Sequence, residues 1–183
     1  MSIKTFLAAS IAIAAAFPAF AQENPIVGGA PMFADKNIIE NAVNSADHTT
    51  LVAAVTAAGL VETLQGPGPF TVFAPTNDAF AALDQAAVGM LLQPDHVQQL
   101  TQILTCHVLG KAATFAMINS MASDAGGTFE LDTLGGCKLQ VTVNGSSVTL
   151  TDEQGRVANV TIADVMQSNG VIHVIDRVIL PAQ

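Results

Sequence analysis

The sequence predicts an α+β domain in which helices lead and strands follow. Three observations predict it. Apolar residues recur at helical spacing from Asn37 to Leu64 and again from Pro94 to Thr105. From Leu139 to Leu150 the spacing changes to period two, with Asn144-Gly145 offering a tight hairpin turn. The chain then closes on Asn169–Pro181, Asn-Gly-Val-Ile-His-Val-Ile-Asp-Arg-Val-Ile-Leu-Pro, whose Val and Ile are stiff at χ1 and favour a pleated backbone. Ile172, Val174, Val178 and Leu180 share one face of that stretch, and Val171, Ile175 and Ile179 the other, with His173 and Arg177. Both faces are largely apolar, so it reads as a strand covered on both sides.

Taken in order, Met1–Ala21 reads as a secretory signal. Lys4 supplies the positive start, Phe6–Phe17 the apolar stretch, and Ala19-Phe20-Ala21 a small-x-small site cut after Ala21. The apolar stretch is too short and too rich in Ala for a membrane span, and no second candidate follows. A periplasmic or secreted location without membrane insertion is expected. Residues 22–34, with Asn24-Pro25, Gly28-Gly29 and Pro31, read as a flexible leader, and residues 35–181 as one domain. Ile38, Ile39, Ala42, Val43 and Ala46 mark a first helix. Leu51, Val52, Val55, Ala58, Val61 and Leu64 mark a second, capped by Asp47, Thr49 or Thr50. Phe70–Pro75 reads as a strand and Thr76–Leu83 as a short capped helix; Pro94-Asp95 opens another, with Val97, Leu100, Ile103 and Leu104 inward. Ala112–Ser123 is ambiguous between helix and irregular chain. Asp152–Gly155 is a turn, Val157–Ile162 a strand, and Ala163–Met166 leads into the closing stretch.

Charge and composition exclude several function classes. Without the signal the chain carries five Lys and Arg against fifteen Asp and Glu, a net charge of −10. That argues against nucleic acid or anionic membrane as a partner, since each needs a basic patch. Trp and Tyr are absent, which removes the usual stacking platforms. There is no Gly-x-Ser-x-Gly elbow, and the prolines of Gly66-Pro67-Gly68-Pro69 remove the donors a phosphate loop needs, so no enzyme activity and no cofactor is expected. Cys106 and Cys137 are an even pair in an exported chain, which favours a disulfide over two buried thiols. His107 and His173 sit in apolar runs and read as hydrogen-bonded core histidines with a structural role; no ligand set for a metal accompanies them. His48 and His96 lie near helix starts and are expected in solvent.

Phe70–Leu83, with Thr-Val-Phe-Ala-Pro-Thr-Asn-Asp-Ala-Phe, resembles the first signature motif of the fasciclin (FAS1) domain, and Asn169–Pro181 the second. His107-Val108-Leu109-Gly110 resembles the Tyr-His motif between them, with Cys106 where Tyr is usual. The resemblance covers about residues 35–181. It implies the FAS1 fold, a β-wedge of two small sheets packed with helices. It also implies a secreted or periplasmic module for cell adhesion, binding a cell-surface or matrix protein or a glycan. In animal members an Asp followed by an aliphatic residue just before the second motif is linked to integrin binding. Asp164, Val165 and Met166 are similar to that site, departing at Val165 where Ile is commoner. The resemblance also lets a Cys106–Cys137 bridge stand in for the Tyr. An alternative of another class, an exported carrier of a small apolar ligand, rests on the 50% apolar content.

Overall fold

The computed structural model describes residues 24–182, so the signal predicted at residues 1–21 lies outside the described residues. The segment expected to be a flexible leader folds back as a hairpin, β1 (Ile26–Val27) and β2 (Ala30–Pro31). Gly28 and Gly29 take positive φ in its turn, which costs glycine nothing. Val27 and Met32 are buried, and the Ala46 N–H donates to the Gly28 carbonyl at 3.1 Å. Val27 and Met32 are single anchors between turn-forming residues and follow no helical or strand period, which is why residues 22–34 read as a leader.

Helix α1 (Ile38–Ala42) starts at a capping box: the Asn37 side chain accepts from the Glu40 N–H, and the Glu40 carboxylate from the Asn37 N–H. A 3-10 turn, Ala46–His48, leads into α2 (Thr49–Ala57). The second helix expected to reach Leu64 is broken at Gly59, whose φ of 68° ends α2 before α3 (Val61–Gln65) begins. None of Asp47, Thr49 and Thr50 caps α2. Asn77 does so from a distance: its Oδ1 accepts from the Thr50 N–H (3.0 Å) and its Nδ2 donates to the Ala46 carbonyl (2.8 Å). Strand β3 (Phe70–Pro75) follows, then α4 (Asn77–Ala81), capped by Thr76, one of the two residues, Thr76 and Asn77, that could have done so. Next come α5 (Gln85–Leu91), α6 (Val97–Thr105) behind its Pro94 turn, β4 (Val108–Leu109) and α7 (Phe115–Asp124). The strands β5 (Thr128–Asp132), β6 (Lys138–Asn144), β7 (Ser147–Thr151), β8 (Val157–Gln167) and β9 (Gly170–Ile175) complete the chain. Helix α5 and strand β5 carry weak signals: α5 has Gly89 within it, and Leu131 is the one buried residue of β5. In the β6–β7 hairpin Asn144 pairs with Ser147, so the loop is Gly145-Ser146, one residue beyond the expected pair, with Gly145 at φ 62°.

The strands pair in the order β4-β3-β9-β8-β7-β6-β5. Strand β8 belongs to both halves of this wedge: Val157–Asn159 pair with β7, and Val160–Gln167 with β9. The two signature segments lie side by side, with β3 parallel to β9 from Phe70↔Gly170 to Pro75↔Ile175. Because side chains alternate, Val72, Ala74, Ile172 and Val174 enter one core with Ile38, Leu51 and Leu104. Phe73 and Ile175 enter a second core with Ile118, Leu139 and Leu150. The doubly covered strand is therefore observed, but it ends at Ile175 and not at Leu180. Beyond it Val178 and Ile179 are still buried as irregular chain. The Leu180 N–H is held by Asp152 Oδ2 (3.1 Å), itself paired with Arg156 at 2.7 Å.

Candidate functional site

The expected site, Asp164–Met166, falls where β8 slips register against β9: Ile162 faces Val174 and Val165 faces Ile172, leaving one extra residue on β8. The bulge is completed by Asp164 at φ 55°, a left-handed conformation that a short polar side chain tolerates best after glycine. Its Oδ1 accepts from the Phe115 N–H at 2.7 Å, at the first turn of α7, and its own N–H donates to His173 Nδ1 at 3.3 Å. The other ring nitrogen, Nε2, donates to the Ala113 carbonyl at 2.7 Å. Thr71 Oγ1 closes the clasp, accepting from the Ala113 N–H and donating to the Lys111 carbonyl, each at 2.7 Å. Asp164, His173 and Thr71 thus tie the 111–115 segment to the wedge. Phe73 stacks on the His173 ring at 5.7 Å. Burial lowers the His173 pKa below 6.5, against the Ala113 hydrogen bond and Asp164, which raise it.

The structure separates the three expected contact residues. Asp164 is half-buried and engaged. Val165 is 1% exposed and packs in the first core, so its side chain cannot touch a partner, which corrects its place in the site. Met166 is 37% exposed and lines an open hollow of about 460 Å³ with Pro67, Pro69, Ala112 and Ser168. The alternation of a strand accounts for this: one residue of an adjacent pair must face inward.

The Cys106–Cys137 disulfide is formed, with Cα atoms 5.3 Å apart, and ties the end of α6 to the β5–β6 connection. His107 is buried beside it. Its Nδ1 donates to the Ile103 carbonyl (2.8 Å) and its Nε2 accepts from the Ile179 N–H (2.9 Å), so both core histidines find the partners their burial demands. His48, expected in solvent, is 3% exposed: Nδ1 meets Ser45 Oγ at 2.8 Å, while Nε2 has no hydrogen-bond partner. Burial lowers its pKa, against the nearby Ala74 carbonyl and Asp47. The β1–β2 hairpin docks at Ala46, and its Val27 and Met32 line the same small void as His48, together with Leu51, Val72 and Ala74. His96 is exposed, as expected. Among the described residues no three His, Cys, Asp or Glu converge to hold a metal ion.

The fasciclin domain family model matches residues 46–181. The chain belongs to the fasciclin domain family. This fasciclin domain is 44% identical over 160 residues to Protein sll1483 of Synechocystis, covering 87% of this chain and 82% of that protein. It is 39% identical over 131 residues to the transforming growth factor-beta-induced protein ig-h3 of Sus scrofa, covering 72% of this chain and 17% of that one. A solved FAS1 domain pair from the insect cell adhesion molecule fasciclin I matches with a TM-score of 0.71 at 19% identity, over 79% of this chain and 51% of that one, which shows the fold.

One residue of this fasciclin domain, Asn169 before Gly170, is a tertiary staple. Asn169 Oδ1 accepts from the Ile38 N–H at the start of α1 (3.1 Å), and its Nδ2 donates to the carbonyls of Leu64 (2.8 Å) and Gly66 (2.9 Å) at the end of α3. An Asn before Gly signals a turn and nothing more, so this role was not readable. Asn41, fully buried, likewise bridges Phe33 and Gln167. No helix of the described residues is long and apolar enough to cross a membrane.

Proposed function

We propose that this fasciclin domain is an exported interaction module, held in the periplasm or secreted, that binds a cell-surface or matrix protein or a glycan. Family membership supports it, as does the likeness to a domain pair from a cell adhesion molecule. The observation that carries the site is the β8 bulge. It turns Met166 outward beside the hollow formed with Pro67, Pro69 and Ser168, at the start of the first signature strand. Asp164 sits behind that surface and fixes the 111–115 segment, so it shapes the contact face more than it touches the partner.

A binding assay on cells, matrix proteins and glycan arrays tests the reading with wild type, Met166→Lys and Asp164→Ala. Met166→Lys keeps the fold and loses binding at least about tenfold, the loss expected of one central contact of more than about 1.4 kcal/mol. Asp164→Ala loses binding together with stability. If folded wild type binds none of these surfaces, the adhesion reading fails. If Met166→Lys binds as wild type does, the contact face lies elsewhere. N-terminal sequencing of the exported protein should begin at Gln22.

A further inference from the structure

We infer that the first core holds a binding site for a small, neutral, apolar molecule of about the size of one aromatic ring. Helices α1, α2 and α3 do not close against β3, β4 and α6. They leave a cavity of about 150 Å³ between Ile39, Val55, Leu64, Val72, Leu104 and Val108. Its mouth is rimmed by the exposed Val43 and the half-buried Val52, Leu60 and Val61. Short helices rich in Val, Ala and Ile reach less far across such a gap than Leu or Phe would. An unfilled void deprives its lining of dispersion contacts. An apolar cavity of about this volume stays dry and accepts benzene or xenon.

The chemistry of the ligand follows from the walls. The two polar side chains that reach the cavity are already engaged. Thr56 Oγ1 donates to the Val52 carbonyl of its own helix at 2.8 Å, and both nitrogens of His107 are bonded to Ile103 and Ile179. No donor or acceptor side chain in the wall is left to pair a polar ligand group, whose burial would go uncompensated. The charged residues on α1, α2 and α3 are Glu40 and Glu62, both acidic and exposed. A carboxylate or phosphate head at the mouth would be repelled, so fatty acids and anionic lipids are disfavoured. Leu104 and His107 also line the next void, of about 20 Å³, which is too small to take a chain further. The site is independent of the Met166 surface, and each reading can fail alone.

Benzene is the probe, with hexanoate as its anionic counterpart, titrated into the protein while methyl NMR signals of Val55, Leu64 and Val72 are followed. Benzene shifts these methyl signals saturably and hexanoate leaves them in place; xenon soaked into crystals gives one density peak among the same side chains. Val55→Phe fills the cavity and weakens benzene at least about tenfold, a loss of about 1.4 kcal/mol. Should that variant not fold, Val61→Phe blocks the mouth with the same expected loss. The inference is overturned if wild type shows neither a saturable benzene shift nor a xenon peak there. It is equally overturned if hexanoate binds as well as benzene, or if both folded variants bind benzene as wild type does.

Discussion

Acid should weaken this domain through His107, and the size of the effect follows from its surroundings. Burial lowers its pKa from 6.5 to about 4. The Ile103 hydrogen bond and Asp152 oppose that shift, and Arg156 adds to it. A second proton would have to go on Nε2, the nitrogen that already accepts the Ile179 N–H. The unfolded chain takes up that proton near pH 6.5 and the folded chain only near pH 4. Between those values the unfolded state holds more protons, so stability falls as the pH drops through the window. Between pH 7 and pH 4.5 the loss through this one group is about 2.5 kcal/mol. His48 and His173 are shifted in the same direction and add to the total loss, so the test must isolate His107. His107→Gln does so, because a Gln side chain can donate and accept but does not titrate. Urea denaturation of both proteins at pH 7 and pH 4.5 should show wild type losing about 2.5 kcal/mol more than the variant. Equal losses within about 0.5 kcal/mol would refute the reasoning.

Three further outcomes are expected. Asn169→Ala removes hydrogen bonds to Ile38, Leu64 and Gly66 and should lower stability by about 2–4 kcal/mol, read by the same denaturation. Asp164→Ala loses both the contact to the α7 start and a side chain that tolerates positive φ, at about 2–3 kcal/mol; Asp164→Asn keeps both and should cost less than about 1 kcal/mol. Replacing Cys106 and Cys137 together by Ser opens a loop with a sequence separation of 31 residues and should cost about 3–4 kcal/mol in the chain-entropy account, with no further loss on adding reductant.

The parts of the fold that were legible are those that repeat. Phe70–Pro75 read as a strand and the closing stretch as one with apolar faces on both sides, and β3 and β9 are both buried between two cores. Thr76-Asn77 offered two residues able to cap the next helix, and Thr76 is the one that does. The leader, by contrast, was misread because Val27 and Met32 are single anchors whose burial depends on a hairpin docking at Ser45–Asp47, far from any pattern of their own. His48, expected in solvent, lies beside these anchors and is buried with them.

Three ordered motifs identified the family. The likeness that suggested Asp164–Met166 says nothing of how those three side chains are turned. Register against β9 decided that Val165 faces the core, Met166 the hollow and Asp164 the start of α7. What the sequence by itself determined is the class of the fold and the covered closing strand, and it favoured the pairing of the two cysteines. These rest on local periodicity and on composition. Only the tertiary structure decided the roles of Asn77, Asn169 and Asp164, each a short polar side chain serving backbone groups 27 to 131 residues away. Such a side chain reads locally as a turn or a cap. Which distant N–H or carbonyl it satisfies is set by the packing that brings that group within 3 Å or so of it.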